Sequence, residues 1–490
     1  MKSRGLFLSA LLMGAVMAGC SNDDVMSIEN EKSLMKSDNY IAVNIVAPSD
    51  FGSRGTEGEF KAGSADENAV KDAWFVFYNA TGDYIDAVEG DLEWSEGTGS
   101  VEKISTAMIV LSNPQTWPTQ VVALLNTGMT KTQLSNLSLK GLQDHNDDYS
   151  NGFVMSNSVY LNGDNAVTAT PLKDSQICSS AEAAKKNPVS IPVERVLAKV
   201  VATKSSDFKV VAPEVTPQLD GENANFEIEI KGMALVDTNP KSYLLKNIEG
   251  ITGWDGWNDQ DNWRTYWANS YTPDAYTSDS YDDIVADSAI TSYSTYCHEN
   301  TSGTPTKLLV VAQFKPKGAE NFETVIKYNG TYFTVDGLKN YLNDQYFVDI
   351  MHGDNNSNNW KDYMSFVSAG TENEWEVALA LTNAPTPKDE NVDLAAIVKS
   401  INNKTMSQWT DGKCYYYVDV EHFGSEGYEV GIVRNHWYDI SINSIKGLGT
   451  PVFDPTEDIV PGRMEEENYY LAAEVKILKW KMVSQNVDLQ

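Results

Sequence analysis

Apolar and polar residues alternate with a period of two in most of the apolar segments of this chain, a pattern typical of β-strands. The first such segment, residues 40–47, places Ile41, Val43 and Ile45 on one face. Pro48 ends it, and the Gly-rich polar segment that follows contains Arg54. The chain therefore begins with a predicted strand and an accessible loop.

Seven later segments are also predicted to be strands, and the first of them is apolar on both faces, as in a strand packed on two sides. They are residues 69–84, 120–127, 190–203, 225–236, 307–316, 412–420 and 436–446. Helical periodicity is strongest in residues 335–346, where Leu338, Tyr341 and Leu342 share a face.

The intervening segments are more polar and indicate how the strands are grouped. Residues 80–118 and 128–190 are predicted to be long loops, and the polar stretch 204–207 a domain boundary. The predicted fold class is mainly β: two tandem β-sandwich domains of transthyretin-like, Greek-key type, with long loops and few short helices.

The N-terminus has the features of a bacterial lipoprotein signal. Lys2 and Arg4 precede a short apolar run, and small residues come directly before Cys20. This predicts a signal peptide over 1–19, lipidation of Cys20 and an exported protein at the outer-membrane surface. An ordinary signal peptide with a chance cysteine is the alternative. No later apolar run approaches the length needed to span a bilayer.

The C-terminal segment 469–490 changes its apolar phase twice, whereas a regular strand on one sheet keeps a single phase. Its apolar positions are Val475, Ile477, Leu478, Trp480, Met482, Val483, Val487 and Leu489. A bulge, or a strand that serves two environments, explains the switches. The alternative is an ordinary last strand of the second domain. The Pro- and acid-containing segment 450–468 before it resembles a hinge.

Composition and motifs exclude several classes of function. The formal net charge is −32, from 37 basic and 69 acidic residues, and such a surface repels phosphate backbones, so nucleic acid is not an expected partner. The chain has no phosphate-binding Gly-rich motif with its Lys, no H-E-x-x-H and no G-x-S-x-G. We therefore expect neither an enzyme nor a cofactor.

Three groups of residues leave alternatives open. Asp144-x-Asn146-x-Asp148 and Asp354-x-Asn356-x-Asn358 have calcium-loop spacing without the central Gly, so solvated turns are the other interpretation. Cys178, Cys297 and Cys414 form at most one disulfide, or are small buried apolar residues. The aromatic insert 254–276 is either a sugar-stacking surface or a local core. Its tryptophans are Trp254, Trp257, Trp263 and Trp267.

Five segments in order resemble the fimbrillins of type V pili, most closely the major-subunit branch of the short fimbriae. They are VKDAWFVFYN (70–79), VVALLNTGM (121–129), VERVLAKV (193–200), VRNHWYDISINSIKGLGTP (433–451) and EVKILKWKMVSQNVDL (474–489). The resemblance covers essentially the whole chain, with variable loops between the segments.

The resemblance implies a fimbrial lipoprotein precursor that an Arg-specific protease cuts between Arg54 and Gly55. The lipidated propeptide 20–54 would leave with the first strand, and the tail 469–490 of another subunit would fill the emptied groove. The implied domains are 55–205 and 206–468. The alternative for Arg54 is an ordinary surface arginine, and for the first strand a permanent one.

The implied product is a head-to-tail filament of identical subunits, with anchor and tip subunits and host or bacterial surface ligands as further partners. The mature form would be part of an extracellular fimbria that supports adhesion or biofilm formation. Two alternatives remain open for the chain, a surface lipoprotein that binds glycans and an accessory or tip adhesin.

Overall fold

The computed structural model describes the chain in stretches. These are residues 39–46, 63–96, 103–111, 116–147, 152–162, 165–211, 218–223, 225–250, 268–353, 356–371, 373–422, 430–459, 470–478 and 484–486.

Within the residues that the structure describes, the first domain contains twelve strands and three short helices. The strands are β1 (Asn39–Val46), β2 (Ala73–Tyr78), β3 (Tyr84–Glu89), β4 (Glu93–Glu96), β5 (Lys103–Leu111), β6 (Gln120–Leu125), β7 (Asn146–Asp147), β8 (Met155–Asn157), β9 (Tyr160–Asn162), β10 (Asn165–Val167), β11 (Thr170–Pro171) and β12 (Val189–Arg195). The helices are α1 (Lys131–Leu134), α2 (Leu139–Asp144) and α3 (Ala181–Lys186), with a 3-10 turn at Asp174–Gln176.

One hydrogen-bonded path, β3-β2-β6-β8-β12-β1-β5-β4, forms both layers of this domain. Strand β12 passes from one layer to the other, because Val189–Pro192 pairs with β1 and Val193–Arg195 pairs with β8. The inner faces of both layers meet in one core that includes Ile41, Phe75 and Ile109. The sheet thus wraps around its core as a sandwich.

Strand β2 confirms the prediction of a strand apolar on both faces. Phe75 and Phe77 lie in the inner core, whereas Val76 and Tyr78 belong to a second cluster on the outer face. The prediction of a loop over residues 80–118 is wrong, because β3, β4 and β5 lie there. The inward residues of β5 include Ser105 and Ala107, which carry little apolar signal.

The second domain begins immediately after Val196. The segment 190–203, predicted as one strand, is divided there into β12 of the first domain and β13 of the second. The polar stretch 204–207, which suggested a domain boundary, instead lies within the long strand β13 (Leu197–Val211). Val196 itself is fully buried, so the connection between the domains is packed on all sides.

The second domain contains the remaining strands and helices. Its strands are β13, β14 (Gln218–Leu219), β15 (Glu222–Asn223), β16 (Phe226–Val236), β17 (Ser242–Tyr243), β18 (Asp279–Ser280), β19 (Ser292–His298), β20 (Lys307–Pro316), β21 (Val325–Tyr328), β22 (Thr331–Thr334), β23 (Met364–Ser368), β24 (Val377–Leu381), β25 (Met406–Trp409), β26 (Lys413–Asp419), β27 (Trp437–Lys446), β28 (Thr450–Pro451), β29 (Asp458–Ile459), β30 (Tyr470–Leu478) and β31 (Ser484–Asn486). Its helices are α4 (Tyr281–Ile284), α5 (Val335–Leu342), a π-turn (Asn343–Phe347), α6 (Leu394–Asn402) and 3-10 turns at Lys361–Tyr363 and Thr410–Gly412.

Two sheets face each other across the main core of this domain, in the orders β19-β13-β27-β30-β31 and β16-β20-β26-β28. The core between them includes Val200, Val310 and Ile440. A third sheet, β15-β14-β22-β21-β25, packs with α5 and α6 around a separate apolar cluster. The predicted mainly-β class, with several sheets and few short helices, is therefore confirmed.

The helix predicted over residues 335–346 is confirmed, since α5 spans Val335–Leu342 and continues as a π-turn. The hydroxyl of Thr334 accepts the first hydrogen bond, from the Gly337 amide at 2.9 Å, and so caps the helix. Leu338 and Leu342 are buried as predicted, whereas Tyr341 is exposed.

Candidate functional site: the first strand, its groove and the domain junction

Strand β1 occupies an interior position in its sheet. All eight of its residues pair antiparallel with β5, from Asn39 opposite Leu111 to Val46 opposite Ile104. On its other edge, residues 43–46 pair in parallel with β12. Removal of β1 would therefore leave two strand edges without partners, β5 on one side and β12 on the other.

Two side chains of β1 that point inward are fully enclosed. Ile41 and Val43 are 0% exposed and contribute to the core between the two layers. Ala42, on the opposite face, is also fully buried, and α3 lies against this strand. The groove that holds β1 is thus apolar on its inner face and covered by α3 at Ala42 on the other.

Two further contacts hold the ends of β1. The amide of Tyr40 donates to the Cys178 carbonyl at 2.7 Å, and the Cys178 amide returns a bond of 3.0 Å to the Tyr40 carbonyl. Near the other end, the Thr106 hydroxyl donates to Oδ1 of Asn44 at 2.6 Å. The hydrogen bonds of β1 thus lie mainly along its backbone, which imposes little demand on side-chain identity.

The C-terminal strand has the opposite placement, at the outer side of a sheet. Strand β30 pairs antiparallel with β27 along its whole length, and β31 folds back onto β30. The pairing contains one register shift, where the extra residue Asn443 belongs to β27 and not to the tail. Only the last two strands would leave the sheet if the tail detached, and β27 would become its edge.

Four charged side chains are wholly buried where the two domains meet. Lys246 lies 3.4 Å from Glu194, and Arg434 lies 2.6 Å from Glu299, with 0% exposure of all four side chains. The Ser158 hydroxyl donates to the other oxygen of Glu194 at 3.1 Å. Burial raises the pKa of Glu194 above its usual value, although Lys246 and Arg434 oppose the shift.

The structure describes only part of the set of residues predicted from the sequence, and it places them in two different sheets. Ile41, Val43 and Ile45 lie on β1, and the backbones of Val475, Ile477 and Leu478 lie on β30. The other predicted positions lie outside the described residues, namely Cys20, Arg54, Gly55, Trp254, Trp257, Trp263, Trp267, Trp480, Met482, Val483, Val487 and Leu489.

One wall of the groove, strand β5, and the charged junction were not predicted from the sequence. Strand β5 was assigned to a loop, and the pairing of β12 with β1 is not visible from periodicity. A signal for the junction was present at Glu194, which interrupts an otherwise apolar strand segment, whereas Arg434 lies in a turn before β27. A charge at such a position is buried with a partner or points outward, and the sequence alone does not distinguish the two.

The remaining candidate ligand positions have these outcomes. No disulfide links the three described cysteines, and Cys297 and Cys414 are buried. Asp148 and Asp354, from the two calcium-like spacings, lie outside the described residues. The described part of the chain contains no group of three His, Cys, Asp or Glu residues that could hold a metal ion. Within that same part, no helix is long and apolar enough to cross a bilayer.

Comparison with solved structures finds several fimbrial proteins at low identity. A candidate cell adhesion protein from Parabacteroides distasonis is 14% identical, with 92% of this chain and 98% of that chain covered and a TM-score of 0.39. The tip fimbrial protein Mfa3 from Porphyromonas gingivalis is 12% identical, with 92% and 100% covered and a TM-score of 0.32. The fimbrial anchor protein Mfa2 from the same organism is 10% identical, with 55% and 76% covered and a TM-score of 0.21. No residue role is carried over from these structures.

Comparison with family models identifies the C-terminal part of the chain, whereas no curated protein matches it significantly. Residues 407–486 match the model described as "Major fimbrial subunit protein type IV, Fimbrillin, C-terminal". This range contains Arg434 of the junction together with β27 and the tail strand β30. Residues 407–486 are therefore similar to the C-terminal region of the fimbrillins.

Proposed function

We propose that the protein is the structural stalk subunit of a cell-surface fimbria and that its subunits join by strand exchange. The observation that supports this most strongly is the placement of β1 between β5 and β12, with Ile41 and Val43 fully buried. A strand at that position leaves a long apolar groove when it departs. An extended segment of another chain fills such a groove with backbone hydrogen bonds.

The proposed trigger is cleavage after Arg54 by an Arg-specific protease. The cut separates β1 from the remainder of the first domain, because the bond lies between Val46 and the next described residue, Gly63. The fragment 20–54 then carries away the strand and the lipid on Cys20. The unpaired edges of β5 and β12 make the empty groove costly, which favours capture of a new strand.

The proposed donor is the tail 469–490 of a second copy. The first strand of the tail, β30, lies near the edge of its sheet. Release of the tail breaks only the pairing of β30 with β27, because the other partner of β30 is β31, which belongs to the same tail. Acceptor groove and donor strand lie on different domains of one subunit. Each contact is therefore head-to-tail, and repetition of the contact gives an open filament. Anchor and tip subunits would end the filament.

The experiment that tests the proposal is cleavage of a soluble chain that begins at Ser21. An Arg-specific protease is added, the new N-terminus is sequenced, and size is followed on SDS gels without boiling. The matched control is Arg54→Lys, which keeps the positive charge but removes this cleavage site. We expect a ladder of oligomers from the parent chain and monomers from the control.

Cleavage at Arg54 that leaves the parent chain monomeric would overturn strand exchange as its function. Polymerisation of Arg54→Lys at the rate of the parent would overturn the proposed trigger. The surface glycan-binding alternative rests on Trp254 to Trp267, which lie outside the described residues, so no structural observation favours it.

A further inference from the structure

The short segment Gly63–Asn68, which precedes β2, is folded into a self-capped turn. The Ser64 amide donates to Oε2 of Glu67 at 2.7 Å, and the Glu67 amide donates to the Ser64 hydroxyl at 3.2 Å. The Asn68 side-chain amide donates to the Gly63 carbonyl at 3.1 Å. This reciprocal pattern fixes the direction of the Glu67 side chain, whose residue is only 1% exposed.

The other carboxylate oxygen of Glu67 reaches the second domain. Oε1 lies 2.7 Å from the ammonium group of Lys199 on β13, and the Tyr296 hydroxyl on β19 donates to the same oxygen. The Lys199 ammonium also lies 4.1 Å from the ring centre of Trp437 on β27, a cation–π distance. Glu67 thus contacts residues on two adjacent strands of the second-domain sheet, and Lys199 extends the group to Trp437 on the third.

The same segment also binds the last residue of the first-domain strand β12. The guanidinium Nε of Arg195 donates to the Glu67 carbonyl at 2.9 Å, and Nη2 donates to Oδ1 of Asn68. Arg195 Nη1 donates to Oδ1 of Asn435 at 3.3 Å. The backbone amide of Asn435 donates in turn to the Leu197 carbonyl at 2.9 Å. Residues on both sides of Val196 are therefore tied to this segment.

The charge of Glu67 is stabilised in this position. Burial raises the pKa of the carboxyl group, but the hydrogen bonds from Lys199, Tyr296 and the Ser64 amide outweigh burial, and the pKa lies below its usual value. Removal of the negative charge would leave Lys199 with 15% exposure and no ion-pair partner in this contact. Such charge-assisted contacts are among the stronger hydrogen bonds in proteins.

We propose that Gly63–Asn68 is an interdomain clip, which holds the Val196 connection in one geometry and keeps the domains of a subunit in a fixed orientation. The segment also follows Arg54 in the chain, so it stays with the mature protein after a cut there. The clip then anchors the new N-terminal end while β1 leaves. This last step rests on the proposed function, whereas the clip itself does not.

The clip is tested by hydrogen–deuterium exchange on the uncut chain that begins at Ser21. The variants are Glu67→Gln, which removes the charge, and Lys199→Met, which removes its partner. The control is Asp86→Asn, which breaks the 2.6 Å pair with Lys131 inside the first domain. The readout is exchange in peptides that cover residues 195–199, with residues 307–316 of the second-domain core as the folding reference.

We expect exchange at 195–199 to rise by about tenfold or more in both clip variants, since a hydrogen bond to a charged group contributes about that factor or more to local stability. Exchange at 307–316 and in the Asp86→Asn control should stay at the parent level. Unchanged protection of 195–199 in both clip variants would overturn the clip. A rise at 195–199 accompanied by an equal rise at 307–316 would also overturn it, because the effect would then be global unfolding.

A second arm repeats the measurement after cleavage at Arg54. Protection of 195–199 should persist in the cut parent chain and be lost in cut Glu67→Gln. Loss of protection in the cut parent would overturn retention of the clip. Cleavage without release of β1 or without polymerisation would count against the proposed function alone, because the uncut arm decides the clip independently.

Discussion

Arg434 and Glu299 form an ion pair that is completely removed from solvent, with 2.6 Å between the guanidinium Nη2 and the carboxylate Oε1. The same guanidinium donates to the carbonyl oxygens of Tyr243 at 3.0 Å and Leu244 at 3.2 Å. Leu244 in turn packs in an apolar cluster with Val76 of the first domain. Arg434 therefore positions the segment through which the second domain contacts the first.

Replacement of Arg434 by Met should lower the free energy of unfolding by about 3–5 kcal/mol, because it leaves the Glu299 carboxylate buried without its partner. The double variant with Glu299→Leu should lose less than the single variant, since no unpaired charge remains. Urea denaturation measures both. The comparison variant is Lys131→Met, which removes a largely exposed pair with Asp86 and should cost about 1 kcal/mol or less. Equal losses in the single and double variants would contradict this interpretation.

Ile41 tests the contribution of β1 to the uncut protein. Its side chain is fully buried in the first-domain core, so Ile41→Ala should lower the free energy of unfolding by about 2–5 kcal/mol. The comparison variant is Asn44→Ala, which loses one exposed hydrogen bond from Thr106 and should cost about 1 kcal/mol or less. After cleavage and release of β1, both variants should have the stability of the cut parent. A difference that persists after the cut would mean that β1 has stayed in its groove.

Glu67 should make stability depend on pH in acid. Its pKa is below the usual value of 4.5 in the folded protein, because the bonds from Lys199, Tyr296 and the Ser64 amide overcome the opposing effect of burial. A lowered folded pKa adds stability that is present above the unfolded value and disappears as the pH falls through the folded value. The parent should therefore exceed Glu67→Gln in stability at pH 7, and the gap should close on acidification. A constant gap from pH 7 to pH 3 would contradict the assignment.

The strands with strong apolar character were predictable from sequence, whereas the pairing that forms the groove was not. Strand β2 is apolar on both faces, and its burial on both sides follows from that pattern. Strand β5 escaped prediction because Ser105 and Ala107 are among its inward residues, so that only Ile109 and Leu111 near its end give an inward apolar signal.

The boundary between the domains was missed for a different reason. Residues on both sides of Val196 are apolar and extended, so periodicity shows one strand where the chain changes sheets. The change is specified by long-range contacts, such as Arg195 with Asn435 and Lys199 with Glu67. Such contacts join residues that are far apart in sequence, and a local pattern carries no record of them.

Substitution of two glycines distinguishes the cost of a strained backbone from the cost of steric overlap. Gly221 and Gly412 both have positive φ, at 87° and 68°. A Cβ on Gly221 would meet nothing within 4 Å, whereas a Cβ on Gly412 would lie 2.0 Å from the Phe314 carbonyl oxygen. Gly221→Ala should therefore cost about 1–2 kcal/mol from φ alone. Gly412→Ala should cost about 3 kcal/mol or more, because strain and overlap add. Thermal denaturation of the two variants measures the difference, and equal melting temperatures would contradict it.

Deletion of residues 470–490 should separate folding from assembly. The deletion removes β30 and β31, which form the outer end of their sheet, while β27 keeps its parallel pairing with β13. We therefore expect the truncated chain to fold, to be cut at Arg54 at the rate of the parent, and to remain monomeric.

When the truncated chain is mixed with cut parent chains, it should still accept their tails in its groove and so occupy one end of a filament. The ladder should then become shorter in proportion to the fraction of truncated chains. Size analysis after cleavage measures both effects. Ladders formed by the truncated chain alone would show that another segment is the donor, and unchanged ladder length in the mixture would show that its groove does not accept the parent tail.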